Sequence, residues 1–149
     1  MPHASDLTAH TGYLLRVVSN AVSHAFARKL AGAGVTVAEW ATMRTLYDGA
    51  LAPSALAGMM GLTKGAISKL AERLLRKDLI TRTGNPSDKR GHSLTLTAKG
   101  RALVPALAAL ADANDAEYFG VLSAQDHETL VTLLRALIEK QSLGDVPLD

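Results

Sequence analysis

Between residues 53 and 97 the hydrophobic period of this chain passes from that of helix to that of strand, and few folds accommodate the change at this spacing. Pro53 and Ser54 fit the first turn of a short helix carrying Leu56, Ala57 and Met60, which Gly61 closes after barely two turns. Thr63 then caps a second helix, with Ile67, Leu70, Ala71 and Leu74 on one face at i, i+3, i+4 and i+7. Lys64, Ser68, Lys69, Glu72, Arg73 and Arg76 point elsewhere. After Asp78 the period drops to that of a strand: residues 79–83 and 93–97 alternate, joined by a long polar, basic tip over 84–92. The reading is a short helix, a glycine turn, a basic amphipathic helix and a hairpin, in that order.

The flanks are helical. Leu15, Val18, Val22, Phe26 and Leu30 form a stripe on a helix expected over about residues 7–31, stopped by Gly32 and Gly34. Thr36 and Glu39 form a capping box that opens a helix through Trp40 and Met43 to about Tyr47. Thr97 can cap a further helix running toward Phe119, where Pro105 is expected to introduce a kink. Ser123 opens a last one with Leu130, Leu133, Leu134, Leu137 and Ile138 on one stripe. The fold class is therefore mainly α with a small β-hairpin. At 149 residues, the chain has room for one domain.

Charge is segregated along the chain. Residues 63–101 hold ten Lys and Arg against three acids, a net of +7, while the rest of the chain carries −5. A basic centre between acidic flanks is the footprint of a fold that meets a polyanion with one part of its surface. The basic helix has the right dimensions for a DNA major groove, and the hairpin can reach the adjacent minor groove as a wing. Ser54, Thr63, Lys64, Gly65, Ser68, Lys69 and Arg73 are the candidate contacts on the helices, with Gly65 and Ala66 small enough for close approach. Lys89 and Arg90 at the tip suit a narrow minor groove. Asp88 would repel phosphate unless paired, and pairing with Arg73 would brace the wing against the helix.

Other chemistry finds little support. With no cysteine, thiolate metal sites, disulfides and thiol sensors are excluded. The five histidines show no i, i+4 pair, so no metal and no cofactor are assigned. There is no nucleophile elbow, P-loop, dinucleotide fingerprint or His-Glu-x-x-His pair, which argues against an enzyme. Charges and turn residues interrupt every apolar stretch before membrane-spanning length, giving the expectation of a cytoplasmic protein without a membrane partner.

The run Leu62-Thr63-Lys64-Gly65-Ala66-Ile67-Ser68-Lys69-Leu70, then Leu79-Ile80, Asp88-Lys89-Arg90 and Leu94-Thr95-Leu96-Thr97-Ala98-Lys99-Gly100, resembles the MarR family of winged helix-turn-helix regulators. Its most specific part is the Asp-x-Arg wing tip followed at this distance by Leu-Thr-x-x-Gly. The resemblance covers nearly the whole chain and implies one domain over residues 1–149, with a winged helix-turn-helix over 35–100 and dimerisation helices over 5–32 and 101–142. It further implies a homodimer that binds double-stranded DNA at a pseudo-palindromic operator, usually as a repressor relieved by a small lipophilic or phenolic effector. Tyr13, Trp40 and Met43 either line an effector pocket or fill the core. Asp78 stands where the family commonly has Gly, in a position that favours left-handed backbone. The alternative function is a dimeric winged-helix module that binds proteins, against which the +7 of the central segment speaks.

Overall fold

The computed structural model describes residues 1–84 and 91–144. A 3-10 turn, Leu7–Ala9, leads into α1 (Thr11–Gly32), followed by α2 (Val37–Leu46), α3 (Pro53–Met60), α4 (Lys64–Arg76), β1 (Ile80–Thr83), β2 (Ser93–Leu96), α5 (Ala98–Phe119) and α6 (Ala124–Lys140). This is the expected order of elements. The largest boundary shift is at the start: the first helix does not begin at Leu7, because His10 takes an extended conformation and separates the 3-10 turn from α1.

Caps set most of the remaining boundaries. Thr36 and Glu39 form the complete capping box of α2, and Thr63, Thr97 and Ser123 each accept an amide of the first turn of α4, α5 and α6. Gly61 ends α3 in the left-handed conformation at φ 66°. Asp78 does the same after α4 at φ 60°, as its position in the sequence requires. Helix α5 continues through Pro105, whose side chain faces solvent.

β1 and β2 pair antiparallel, from Ile80 opposite Leu96 to Thr83 opposite Ser93. Leu51 adds a bridge to Leu94 on the other side of β2, with hydrogen bonds of 2.8 and 3.2 Å. Thr97 is not a strand residue, since its hydroxyl is committed to capping α5.

The core lies under the helix-turn-helix. Leu30, Val35, Met43, Leu46, Leu56, Ile67, Leu70, Leu74, Leu79, Ile80, Leu94, Leu96, Val104 and Leu107 are all buried in one cluster. Each fully buried aliphatic side chain contributes about 1.5–3 kcal/mol. The stripe on α1 is graded: Leu30 is buried, Phe26 and Val22 are half-buried, and Val18 and Leu15 are 49% and 44% exposed. Only the C-terminal part of α1 reaches the core. Across the α1–α5 contact, buried Asn114 donates to the Val22 carbonyl at 3.1 Å and accepts from Lys29 Nζ at 3.0 Å. This fixes the register of the two helices, because an unpaired buried amide is costly. Helix α6 buries no residue, and Leu133, Leu137 and Ile138 are about half exposed.

Candidate nucleic-acid interface

Helix α4 is held by Ile67, Leu70, Ala71 and Leu74, so its opposite face is free to carry function. That face exposes Lys64, Gly65, Ser68, Lys69, Arg73 and Arg76. Lys64, Lys69 and Arg73 form no ion pair among the described residues. Space around Gly65 is open, and a Cβ there would meet nothing of the protein. The start of the helix therefore offers bare backbone and short polar side chains, and the cations lie further along it. Thr63 accepts the Ala66 amide at 3.1 Å, which leaves its hydroxyl proton to donate outward.

The start of α3 stands beside the start of α4. Ser54, Lys64 and Ser68 line one cleft of about 350 Å³ together with Ala52, Pro53, Ile67 and His92. Three residues named from the sequence thus share one concave surface. His92 was missed; its signal is its place as a polar residue at the root of the returning strand. Asp88, Lys89 and Arg90 lie outside the described residues, and with them the pairing expected between Asp88 and Arg73.

The turn leaving α4 is unusually well held. Lys77 Nζ donates to the Gly34 carbonyl at 2.8 Å and to Glu39 Oε1 at 3.0 Å, and stands 2.8 Å from Oε2. Burial pushes the Glu39 carboxyl up, but the hydrogen bonds from Lys77 and the Thr36 amide, with the Lys77 charge, outweigh it and hold the group below its ordinary value. Lys77 counts toward the basic segment in the sequence, yet this engagement removes it from the charge offered to DNA. On the other side, Thr97 Oγ1 donates to the Asp78 carbonyl at 2.7 Å, and Gly100 packs against the Leu79 carbonyl so closely that a Cβ would overlap its oxygen. This contact explains the glycine of the Leu-Thr-x-x-Gly motif.

A family model, MarR family, matches residues 33–91, the segment that holds α2, α3, α4 and β1. Over 142 residues the chain is 30% identical to the putative transcriptional regulatory protein for the hcr operon of Thauera aromatica, covering 92% of this chain and 84% of that one. The chain belongs to the MarR family. It is thus a DNA-binding transcriptional regulator by kinship as well as by the shape of α3 and α4. Among solved MarR-family structures, a mutant MarR from Escherichia coli complexed with operator DNA is 25% identical, with a TM-score of 0.74 over 90% of this chain and 99% of that one. BpsR of Bordetella bronchiseptica, whose DNA binding is regulated by 6-hydroxynicotinic acid, is 26% identical, with a TM-score of 0.75 over 96% of this chain and all of that one.

In this MarR-family chain the remaining candidates fall as follows. Met43 is fully buried in the core, and Trp40 packs against the core with partial exposure. Tyr13 is half-buried on α1. None of the three lines the apolar cleft of about 550 Å³ that lies between α1, the end of α5 and α6. That cleft is walled by Leu14, Leu15, Val18, Val22, Phe119, Leu122, Leu130 and Leu134, with Tyr118 among its few polar groups. No group of three His, Asp or Glu side chains is placed to hold a metal ion, and no helix is long and apolar enough to cross a membrane, among the described residues.

Proposed function

We propose that this chain acts as a homodimer on a pseudo-palindromic DNA operator, as a repressor released by a small lipophilic or phenolic effector. The observation that carries the DNA reading is the exposed face of α4, where Lys64, Gly65, Ser68, Lys69 and Arg73 stand together with no ion pair to any other described residue. Lys64, Gly65, Ser68 and Lys69 meet base edges or nearby phosphates; Ser54 and Thr63 hold the backbone; Arg73, further back on the helix, meets phosphate or the wing. Lys89 and Arg90 take the minor groove and Asp88 braces the wing. Two such heads reach successive major grooves when they stand about 34–36 Å apart.

The dimer is supported by the exposed apolar stripes of α1 and α6, which a second copy would cover. By this reading, residues 5–32 and 101–142 form the stem and 35–100 the reading head, and the protein works in the cytoplasm by binding, not by catalysis. Release by an effector is supported by the regulation of BpsR by 6-hydroxynicotinic acid. An effector acts only through tighter binding to the arrangement that does not fit DNA. Tyr13 and Trp40, both partly exposed, stay within the proposed effector region, and Met43 belongs to the core.

The deciding experiment is binding to the duplex just upstream of the protein's own gene, against a random duplex of equal length, titrated over salt. Selective binding that weakens steeply with salt is expected. Weak binding, equal on both duplexes, would leave a distant operator or a protein-interaction module, which selection of sites across the genome separates.

A further inference from the structure

Three consecutive carbonyls link the recognition helix to the wing, and each is held by the beginning of α5. The Lys77 carbonyl accepts from Lys99 Nζ at 3.1 Å, that of Asp78 from Thr97 Oγ1 at 2.7 Å, and that of Leu79 from the Thr97 amide at 3.0 Å. Gly100 closes against the same Leu79 carbonyl. From the opposite side, the Lys77 ammonium ties this connection to Gly34, after α1, and to Glu39 in α2. The exit of α4 is therefore gripped between the loop that follows α1 and the first turn of α5, and α5 is a single helix that runs on for 22 residues into the stem.

We propose that Lys77 and Lys99 are positioning residues for DNA binding. They fix the angle of α4 to the stem, and so the separation of the two recognition helices in the dimer. This rests on the homodimeric DNA-binding reading given above. Lys99 lies in the basic segment and would otherwise count as a phosphate contact, but its ammonium is turned onto a backbone carbonyl of the connection. Both side chains grip from outside the core: Leu79, Ile80 and Leu96 bury the connection without them, and Thr97 caps α5. Loosening either lysine frees the angle while leaving the core packed.

The absence of cysteine makes the angle measurable. Glu72→Cys, on an exposed position of α4 outside the proposed contacts, carries one nitroxide per subunit, and pulsed electron resonance reads the distance between the two recognition helices. Wild type, Lys99→Met, Lys99→Arg and Lys77→Met are compared as full-length chains in this background. The DNA probe is a duplex selected by the wild-type protein from a random library.

Lys99→Met is expected to weaken binding about fivefold, the scale of the net contribution of one hydrogen bond at an exposed site. The salt dependence should stay unchanged, the inter-label distances should broaden, and Lys99→Arg should restore both. Its melting temperature should stay within about 3 °C, since an exposed lysine contributes little to stability. Because Lys77→Met loses an ion pair to a buried carboxylate, the Lys99 variants carry the decision if it fails to fold. A salt slope shallower by about one unit with unchanged distances would make Lys99 a direct phosphate contact and overturn the proposal. Unchanged affinity and distances would also overturn it. If the wild type selects no duplex, the DNA-binding reading fails separately; amide exchange at Asp78 and Leu79, faster in Lys99→Met only where the grip is real, then decides the positioning role.

Discussion

Lys77 and Glu39, 38 residues apart, form the only ion pair among the described residues in which one partner is sealed from solvent: the Glu39 side chain is 1% exposed and that of Lys77 40%. Glu39 serves two structures at once. Its Oε1 accepts the Thr36 amide at 2.9 Å to complete the cap of α2, and the Lys77 ammonium at 3.0 Å to anchor the end of α4.

Replacing Lys77 with Met leaves that carboxylate buried beside an apolar chain. The expected loss is about 2–3 kcal/mol, below the 3–5 kcal/mol of a wholly buried pair because half-exposed Lys77 is screened by solvent. The pH dependence has a definite sign. Glu39 titrates lower folded than unfolded, so its contribution is fully present above the unfolded value and fades as pH falls through the folded one. In Lys77→Met, burial is no longer opposed by the ammonium, and the acid loss of stability should begin at higher pH than in wild type. Urea midpoints measured from about pH 7 down to pH 3 test both statements.

Two glycines should respond in opposite ways to the same change. Gly100→Ala drives a methyl into the Leu79 carbonyl, which is backbone and already bonded to Thr97, so a loss of about 2–3 kcal/mol is expected. Gly65→Ala meets open space in a helix and should gain about 0.5–1 kcal/mol. Gly65→Leu should keep the fold and lose DNA affinity, because under the proposed docking of α4 the space it fills is the groove's. Thermal unfolding paired with DNA titration separates these outcomes.

Side chains of α4 should divide by role. Ser68→Ala or Lys69→Ala is expected to cost about 1–3 kcal/mol on a selected duplex and clearly less on random DNA. Arg73→Ala, further back on the helix, should weaken both duplexes alike and reduce the salt slope. Equal losses on both duplexes at all three positions would refute this division.

Leu137 is 49% exposed on a helix that buries nothing of its own. Leu137→Asp should convert a dimer to monomers in sedimentation experiments and, by removing the second head, lower DNA affinity by orders of magnitude while α2, α3 and α4 stay folded.

The elements were legible because each announces itself locally. Thr36 with Glu39, Thr63, Thr97 and Ser123 mark helix starts within three residues of the amides they bind, and Gly61 and Asp78 sit where left-handed backbone must occur. The exposed face of α4 followed from its period alone. What the sequence hid was made by contacts between distant residues. The lysine at position 77 only adds to the charge of the basic segment until the fold brings Glu39 beneath it, and nothing in the sequence marks the bridge from Leu51 to Leu94. His92 joins the cleft with Ser54 and Ser68 only because the hairpin returns past the start of α3. The choice between pocket and core at Met43 needed its burial in the folded chain.

Helix α6 carries a consequence for how much of this protein a cell must hold. A helix without a buried residue of its own is held by association in the proposed dimer, so the stability of its stem is expected to scale with the logarithm of protein concentration. Dilution then acts as a denaturant on the stem while the reading head, with its own core, stays folded. The number of copies present becomes a control on the number of paired heads, and a promoter governed by such a protein responds to its abundance with the steepness of a dimerisation equilibrium.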